Sequence, residues 1–287
     1  METIGTVEEI WRYPVKSMAG ELLSSCSVGA LGIPGDRGWA VRDEKAGEIR
    51  GAKKLPQLMR CRARYVEEPA GGAVPAADIT FPDGTRTRAG DKQTEARLSD
   101  LLGRPVTLWP IQSPDQRDFY RRSSPDNLDM MAELRQIFGR REDEPLPDLR
   151  MFSQEIMEFT SPLGTYFDAF PIHLLTTASL AELSRLNPEA NFDVRRFRPN
   201  FLIKSNQRVS GFDETKWSGR TLRVGEMQLK VAMPCVRCVM PTLDQENLPK
   251  DPSVLRTIVR HAEQNVGLYA TVTHPGRIKA GDTIALE

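Results

Sequence analysis

Alternation of apolar and polar residues predicts short strands over most of the first half of the chain. These segments end at clusters of proline, glycine and aspartate, and they cover residues 3–13, 22–28, 38–42, 61–67, 78–81 and 105–111. One helix is predicted among them, because Leu98, Leu101 and Leu102 have helical spacing and Gly103 stands where a helix would end. The chain up to Ile111 is therefore expected to be mostly β.

The second half mixes further strands with short helices. A polar stretch at 113–126 forms a plausible boundary, and Leu128, Met131, Leu134 and Phe138 predict one face of a helix after it. Residues 140–150 are charged and contain prolines, which is typical of an exposed loop. The remaining strands are predicted at residues 172–176, 200–204, 221–224, 227–232, 268–273 and 283–286.

Two more helices are indicated by their N-terminal signals. One covers residues 179–186 and begins with Ser179 and Glu182 at capping-box spacing. The other opens at the Asp-Pro pair 251–252. Its apolar stripe consists of Leu255, Ile258, Val259 and Ala262. Many strands and few short helices predict a β-rich α+β fold that contains a β-barrel.

Composition and charge exclude several classes of function. The 287 residues include 39 Lys plus Arg and 39 Asp plus Glu, so the formal net charge is zero, whereas nucleic-acid binding needs a basic field. The mean hydropathy is −0.42, and no apolar run approaches the ~18 residues of a membrane span. No apolar signal-peptide segment follows Met1. We therefore expect a cytoplasmic protein that binds neither nucleic acid nor membranes.

Two of the four cysteines form the motif Cys235-Val-Arg-Cys238. Four cysteines in a chain of this length do not make a disulfide scaffold. The pair could be half of a zinc site, a dithiol redox motif at a helix N-terminus, or two small buried thiols. It could also supply one thiolate to a soft metal, with Arg237 stabilising the anion. The motif alone leaves these alternatives open.

Basic residues suited to an anion occur at three places. Arg198 stands before Pro199 in the densest basic cluster, so we expect it to be held extended and suited to bidentate phosphate recognition. Lys16 and Ser17 at the end of a predicted strand offer a charge and a hydroxyl. Arg37 follows an aspartate and the turn Gly-Ile-Pro-Gly (32–35). The alternative is a set of solvated charged turns and surface ion pairs. No Rossmann, P-loop, GxSxG or HExxH motif occurs.

Taken in order, these short motifs resemble the MOSC family, named after the C-terminal domain of molybdenum cofactor sulfurase. The motifs are Tyr-Pro-Val-Lys-Ser (13–17), Gly-Asp-Arg (35–37), Phe-Asp (167–168) with Pro171, Phe-Arg-Pro-Asn (197–200), Cys-x-Arg-Cys (235–238) and Gly-Asp (281–282). The similarity is to the branch of the amidoxime-reducing components and their bacterial relatives. It implies a MOSC N-terminal β-barrel region at 1–120 and a MOSC domain at 121–287, with a β-barrel core and short peripheral helices.

The resemblance also implies a site. In the family, a molybdenum bound to a pterin (the molybdenum cofactor, Mo-molybdopterin) carries one protein thiolate, which by motif position is the catalytic Cys238 here. The residues implied around the pterin and its phosphate are Lys16, Ser17, Arg37, Arg198, Asn200 and Arg237. One departure lies near the metal, since Pro241 replaces one of two threonines that family members tend to have after the cysteine.

Two functions follow from the resemblance. The first is a molybdenum-dependent oxidoreductase that reduces N-hydroxylated or related N–O small molecules. The chain contains no flavin, haem or iron–sulfur motif, so this function implies an external electron-donor protein that carries one of those groups. The second is a non-redox carrier of the cofactor or of a sulfur group. The sulfur-handling branch usually contains an aminotransferase-like domain that this sequence lacks, and the enzyme is therefore favoured.

Overall fold

The computed structural model describes residues 1–70, 72, 74–127 and 129–287. Its strands in the first part of the chain are β1 (Glu2–Arg12), β2 (Glu21–Leu23), β3 (Ser25–Val28), β4 (Trp39–Asp43), β5 (Glu48–Ile49), β6 (Arg62–Tyr65), β7 (Ala77–Thr80), β8 (Arg86–Arg88) and β9 (Val106–Pro110). Those in the second part are β10 (Ile172–Thr176), β11 (Phe201–Ser205), β12 (Thr221–Val224), β13 (Met227–Val236), β14 (Asn265–His274), β15 (Gly276–Lys279) and β16 (Thr283–Leu286).

The helices are short and lie around the strands. They are α1 (Lys92–Leu102), α2 (Arg117–Tyr120), α3 (Met130–Phe138), α4 (Gln154–Glu158), α5 (Thr177–Leu186), α6 (Val194–Phe197) and α7 (Pro252–His261). Single 3₁₀ turns occur at Pro56–Arg60, Leu149–Met151, Asp213–Trp217 and Met240–Thr242. Within the described ranges, every helix is too short or too polar to cross a bilayer.

A closed barrel of seven strands forms the centre of the molecule. Its strand order is β11-β10-β14-β13-β12-β16-β1, and antiparallel pairing of β1 with β11 closes the ring. Strand β2 extends the sheet beyond β1. β10 and β11 run parallel, whereas the other neighbours in the ring are antiparallel. The prediction of a β-rich α+β fold with a β-barrel core and short peripheral helices is confirmed.

Apolar residues of the barrel strands face one another in the largest hydrophobic cluster. On β1, Ile4, Val7 and Ile10 are buried to 3% exposure or less, while Glu8 between Val7 and Ile10 is exposed. The buried residues are three apart rather than two, and the pairing of β1 shifts register at Thr3/Gly5 and at Val7/Glu9, so the loose alternation seen in the sequence corresponds to an irregular strand.

A second hydrophobic cluster lies outside the barrel. It joins the sheets β5-β4-β9 and β6-β7-β8 to helix α1, whose Leu98 and Leu102 are buried. Helix α1 ends at Gly103 in the left-handed conformation, as predicted from its glycine. Strand β1 belongs to the barrel and is hydrogen-bonded to strands near the end of the chain. The domain boundary at residue 120 remains a prediction.

Three local expectations need correction or restriction. The predicted capping box is wrong, because Thr176 caps α5 and its Oγ1 accepts a hydrogen bond from the Ser179 amide at 3.1 Å. Arg140 is buried rather than part of an exposed loop, since it donates to the Arg237 carbonyl at 2.9 Å. Leu128 lies outside the described residues, and the helix predicted there is α3.

Gly5 permits the close approach of β1 and β11. A Cβ atom at Gly5 would lie 2.1 Å from the backbone oxygen of Lys204 on β11. We expect Gly5→Ala to lower the free energy of unfolding by about 1–3 kcal/mol, because the strands must move apart. Urea denaturation measures this change.

Gly29→Ala provides the matched control. The nearest atom that such a Cβ would meet outside the adjoining residues is the Gly32 oxygen at 3.8 Å, so we expect a change within about 0.5 kcal/mol. Equal effects of the two substitutions would contradict this account of barrel closure.

Candidate functional site

A single pocket receives side chains from several elements at one end of the barrel. The loop after β1, the turn before β4, the strand β10, the link between α6 and β11 and the end of β13 all contribute. The empty space, including its mouth, is about 670 Å³. All seven residues implied by the resemblance line it, namely Lys16, Ser17, Arg37, Arg198, Asn200, Arg237 and Cys238.

Three of these residues have a backbone conformation that side chains other than glycine rarely adopt. Ser17, Arg37 and Arg198 have φ values of 70°, 50° and 57°. They are half of the six such non-glycine residues in the described part of the chain. Left-handed backbone at non-glycine residues costs free energy and concentrates at functional sites.

The conformation of Arg198 differs from the extended one expected before proline. Its φ and ψ are 57° and 48°, and its amide donates to the Val194 carbonyl, so it caps the short helix α6. A left-handed residue ends the helix before Pro199, which could not continue it. The guanidinium is thereby turned into the pocket rather than along a strand.

The guanidinium of Arg198 is buried without a carboxylate partner among the described residues. It donates to the Met18 carbonyl at 2.6 Å and stacks over the Tyr13 ring at 4.2 Å. Burial lowers the pKa of Arg198 to about 10. A buried charge that lacks a counter-ion is costly, and Arg198 makes only the one side-chain hydrogen bond to Met18 within the described residues, so its other N–H groups stay available to an anion.

Arg237 is a second buried guanidinium of the same kind. It donates to Cys235 Sγ at 2.9 Å, to the Phe197 carbonyl at 3.0 Å and to His173 Nε2 at 3.3 Å. These partners are a thiol, a carbonyl and an imidazole, so none of its side-chain hydrogen bonds in the described ranges goes to a carboxylate, and its Nε atom is buried without a hydrogen-bond partner. Both guanidiniums therefore keep their charge available on the pocket side of the barrel.

Lys16 connects the loop after β1 to the opposite rim of the pocket. Its Nζ donates to the Tyr166 carbonyl and to Asp168 Oδ1, both at 2.7 Å. Lys53 also contacts Asp168, at 3.2 Å. Burial alone would raise the pKa of Asp168, but Lys16 and Lys53 hold it well below its ordinary value. Asp168 is thus an anion at neutral pH that partly offsets the two lysines.

Asp36 organises the other side of the pocket and was not identified as a site residue from the sequence. This carboxylate is 2% exposed, accepts from the Tyr13 amide at 2.8 Å and from Asn200 Nδ2 at 2.9 Å, and pairs with Arg37. The expected surface ion pair between residues 36 and 37 is therefore a buried one. Its only sequence signal was its place beside Arg37.

His173 is a second residue that sequence reasoning missed, because an isolated histidine carries no motif. Its ring lies between the Arg198 carbonyl, 3.3 Å from Nδ1, and Arg237, 3.3 Å from Nε2. A carbonyl only accepts and a guanidinium only donates, so the network assigns the proton to Nδ1. Burial and the neighbouring Arg237 hold the pKa of His173 well below its ordinary value, so the ring is neutral.

The two cysteines of the motif have different environments. Cys235 is 2% exposed on β13, and its burial raises the pKa of the thiol although Arg237 opposes this effect. Cys238 follows the end of β13 and is half-buried at the pocket. In the described ranges, no group of three or more His, Cys, Asp or Glu side chains is arranged to hold a metal ion, as a zinc site would need.

A thioredoxin-type dithiol would need the first cysteine at a helix N-terminus. Strand β13 instead continues through Cys235 to Val236, and a short 3₁₀ turn, Met240–Thr242, follows. The geometry therefore favours two thiols with separate roles.

Comparison with known proteins shows the class to which this architecture belongs. Residues 4–100 match the MOSC N-terminal beta barrel domain, and residues 164–285 match the MOSC domain. The chain belongs to the MOSC family. The resemblance seen in its motifs is confirmed over both regions.

Two amidoxime-reducing components are similar to this chain over nearly its full length. The chain is 26% identical to mitochondrial amidoxime reducing component 2 of Bos taurus, over 99% of this chain and 84% of the relative. It is 27% identical to mitochondrial amidoxime-reducing component 1 of Homo sapiens, over 100% and 84%. Human molybdenum cofactor sulfurase is 25% identical, over 92% of this chain and 29% of the sulfurase. These relatives support a function related to the molybdenum cofactor.

The neutral state of His173 predicts a pH dependence of stability. The pKa of this imidazole is depressed in the folded protein, whereas an unfolded histidine titrates near about 6.5. Unfolding therefore takes up a proton below that pH, and the free energy of unfolding falls as the pH falls, by up to ~1.4 kcal/mol per pH unit. Urea denaturation of cofactor-free protein between pH 7.5 and 5 should show this slope, and His173→Gln should lack that contribution. Identical pH profiles of stability for wild type and His173→Gln would contradict this prediction.

Proposed function

We propose that this protein binds the molybdenum cofactor in the pocket at the end of the barrel and reduces N-hydroxylated or related N–O compounds. The electrons would come from a separate redox protein. The observation that carries the proposal is the pair of buried guanidiniums, Arg198 and Arg237, that have no carboxylate partner within the described chain.

The chemistry of the donor set fits a pterin that carries a phosphate. A phosphate dianion needs fixed cations and hydrogen-bond donors, which Arg198, Arg237 and Lys16 provide. The Ser17 hydroxyl accepts from the Ala52 amide at 2.8 Å, so its own proton remains available for donation to a ligand. Asn200 is fixed by Asp36 and by the His173 amide, and it adds a polar edge to the pocket.

Cys238 is the residue proposed to bind the metal. It is the only one of the four cysteines that is not buried, and it lies in the pocket with the cations. A thiolate suits a soft metal. When bound, the cofactor would supply two-electron redox chemistry at molybdenum.

The other pocket residues would then hold and orient the reactants. Arg198, Arg237 and Lys16 bind the anionic end of the cofactor, and the aromatic walls formed by Phe167, Phe170 and Tyr269 restrict the access of water. Tyr269 stacks on Phe170 with ring centroids 5.2 Å apart.

A non-redox carrier of the cofactor is the alternative function, and the similarity to molybdenum cofactor sulfurase supports it. The experiment is metal and phosphorus analysis of the purified protein, followed by reduction of hydroxylamines and amidoximes with a chemical electron donor. Molybdenum with phosphorus near one equivalent and measurable turnover would support the proposal. Cofactor without turnover over a wide panel would favour the carrier, and zinc in place of molybdenum would contradict both.

Arg198 is predicted to serve the cofactor rather than the fold. Its charge is buried without a counter-ion, so Arg198→Gln should leave the free energy of unfolding of cofactor-free protein within about 1 kcal/mol of wild type or above it. After purification the same variant should contain at least about tenfold less pterin than wild type, because a charge-assisted contact contributes ~1.5–3 kcal/mol.

Arg196 supplies the matched control, because its guanidinium is 1% exposed and donates to backbone carbonyls of Asn191, Pro241 and Pro249. Arg196→Gln should destabilise the fold by ~2 kcal/mol or more, since buried carbonyls lose their donor. An Arg198→Gln variant that unfolds like Arg196→Gln would indicate a structural role instead.

Cys238 and Cys235 are predicted to have separable roles. Cys238→Ser should lower reductase turnover by more than about 100-fold and alter the absorption spectrum of the molybdenum centre even where pterin is retained. Cys235→Ser keeps a hydrogen-bond acceptor for Arg237 and should retain the spectrum and a measurable fraction of the activity. Equal loss of molybdenum in both variants would indicate a shared two-cysteine site.

A further inference from the structure

His173 is hydrogen-bonded, through its backbone or its ring, to three of the residues proposed to hold the cofactor. Its amide donates to Asn200 Oδ1 at 3.0 Å, and its carbonyl accepts from the Asn200 amide at 2.7 Å. Its ring donates from Nδ1 to the Arg198 carbonyl and accepts at Nε2 from Arg237. The residue on β10 thus connects the start of β11 with the loop at the end of β13.

The ring is held in place by its packing. A Cβ atom at Gly267 on β14 would lie 2.6 Å from His173 Nε2, so the neighbouring strand approaches the ring as closely as glycine allows. The Tyr269 ring lies on the same strand, with its centroid 5.9 Å from that of His173. His173 is 6% exposed. The imidazole therefore has little freedom to turn away from the two arginines.

A neutral acceptor has a specific advantage at this position. A carboxylate beside Arg237 would orient the guanidinium but would also cancel its charge, as Asp36 does for Arg37. A neutral imidazole orients Arg237 through one hydrogen bond and leaves the full positive charge for a ligand. The charged and titratable groups around the ring are Arg37, Arg198, Arg237, Cys235 and Tyr269. The cations among them disfavour a second proton.

We propose that His173 is a positioning residue: in its Nδ1–H form it holds Arg237 and the Arg198 backbone in the arrangement that binds the phosphate of the ligand. This inference rests on the proposed function for the identity of the ligand. It assigns a role to a histidine that neither touches the metal nor transfers a proton to the substrate.

The two hydrogen bonds of the ring can be removed separately. The amide of glutamine reaches the place of Nε2, so His173→Gln can retain an acceptor for Arg237. The amide of asparagine reaches the place of Nδ1, so His173→Asn can retain the donor to the Arg198 carbonyl but not the acceptor. His173→Leu removes both. The control is His274→Gln, since His274 is exposed at the end of β14.

We expect the dissociation constant of inorganic phosphate for cofactor-free protein to depend on whether the acceptor for Arg237 is retained. His173→Gln should stay within about threefold of wild type, whereas His173→Asn and His173→Leu should bind about 10–100-fold more weakly. Pterin content after purification should fall in the same order, and His274→Gln should match wild type. Thermal unfolding of each variant separates loss of binding from loss of folding. Should His173→Leu fail to fold, the comparison of His173→Gln with His173→Asn still tests the inference.

Nitrogen NMR of the wild-type imidazole provides a readout that does not depend on binding. We expect Nδ1 to be protonated and Nε2 unprotonated at neutral pH. The opposite tautomer, or equal phosphate affinity in wild type, Asn and Leu variants, would overturn the inference. If phosphate affinity follows the predicted order among wild type and variants but purified wild-type protein never contains pterin, the proposed function would be overturned instead.

Discussion

Pairing of β1 with β11 joins the first strand to a strand about 200 residues later in the chain, and the pocket exists because of it. The register places Gly5 opposite Ser205 and Ile10 opposite Phe201. The chain leaving β1 therefore emerges beside the chain entering β11. The Trp11 amide donates to the Asn200 carbonyl at 2.8 Å. Barrel closure thus places Lys16 and Ser17 against Arg198 and Asn200, and an error in this pairing would separate the two halves of the site.

The pocket concentrates features that are unfavourable for folding. Left-handed backbone at Ser17, Arg37 and Arg198 costs free energy, and so do the buried guanidiniums without counter-ions. The buried guanidiniums are stabilised by neighbours that do not cancel their charge, chiefly backbone carbonyls such as that of Met18. Sites that bind a charged ligand commonly give up stability in this way, because a fully satisfied apo site would have less to offer the ligand.

The arginines of the site differ in the partners that orient them. Arg37 is paired with the buried Asp36, so its charge is largely balanced within the protein. Arg237 is oriented by a thiol sulfur, a carbonyl and the neutral ring of His173. The positive potential is therefore uneven, and it is strongest where Arg198 and Arg237 lie. This distribution provides a reason for an anionic group to bind there.

The order of residue types along the chain predicts which segments are strands and which residues could serve an anion and a soft metal. Strands β10, β12 and β16 have the predicted bounds. In β12 and β16 alternation records which face is buried, whereas β10 is buried on both faces and is recognised as a short apolar run. The family motifs also identified the seven residues that the fold brings to one pocket.

The orientation of these residues and the groups that lie between them follow from the packing of the folded chain. The roles of Asp36 and His173, the left-handed turn of Arg198 and the burial of Arg140 were not evident from local pattern. Each depends on a partner far away in sequence, as with His173 and Arg237, which are 64 residues apart. Local periodicity reports burial but not the identity of a distant hydrogen-bond partner, which packing of the closed barrel sets.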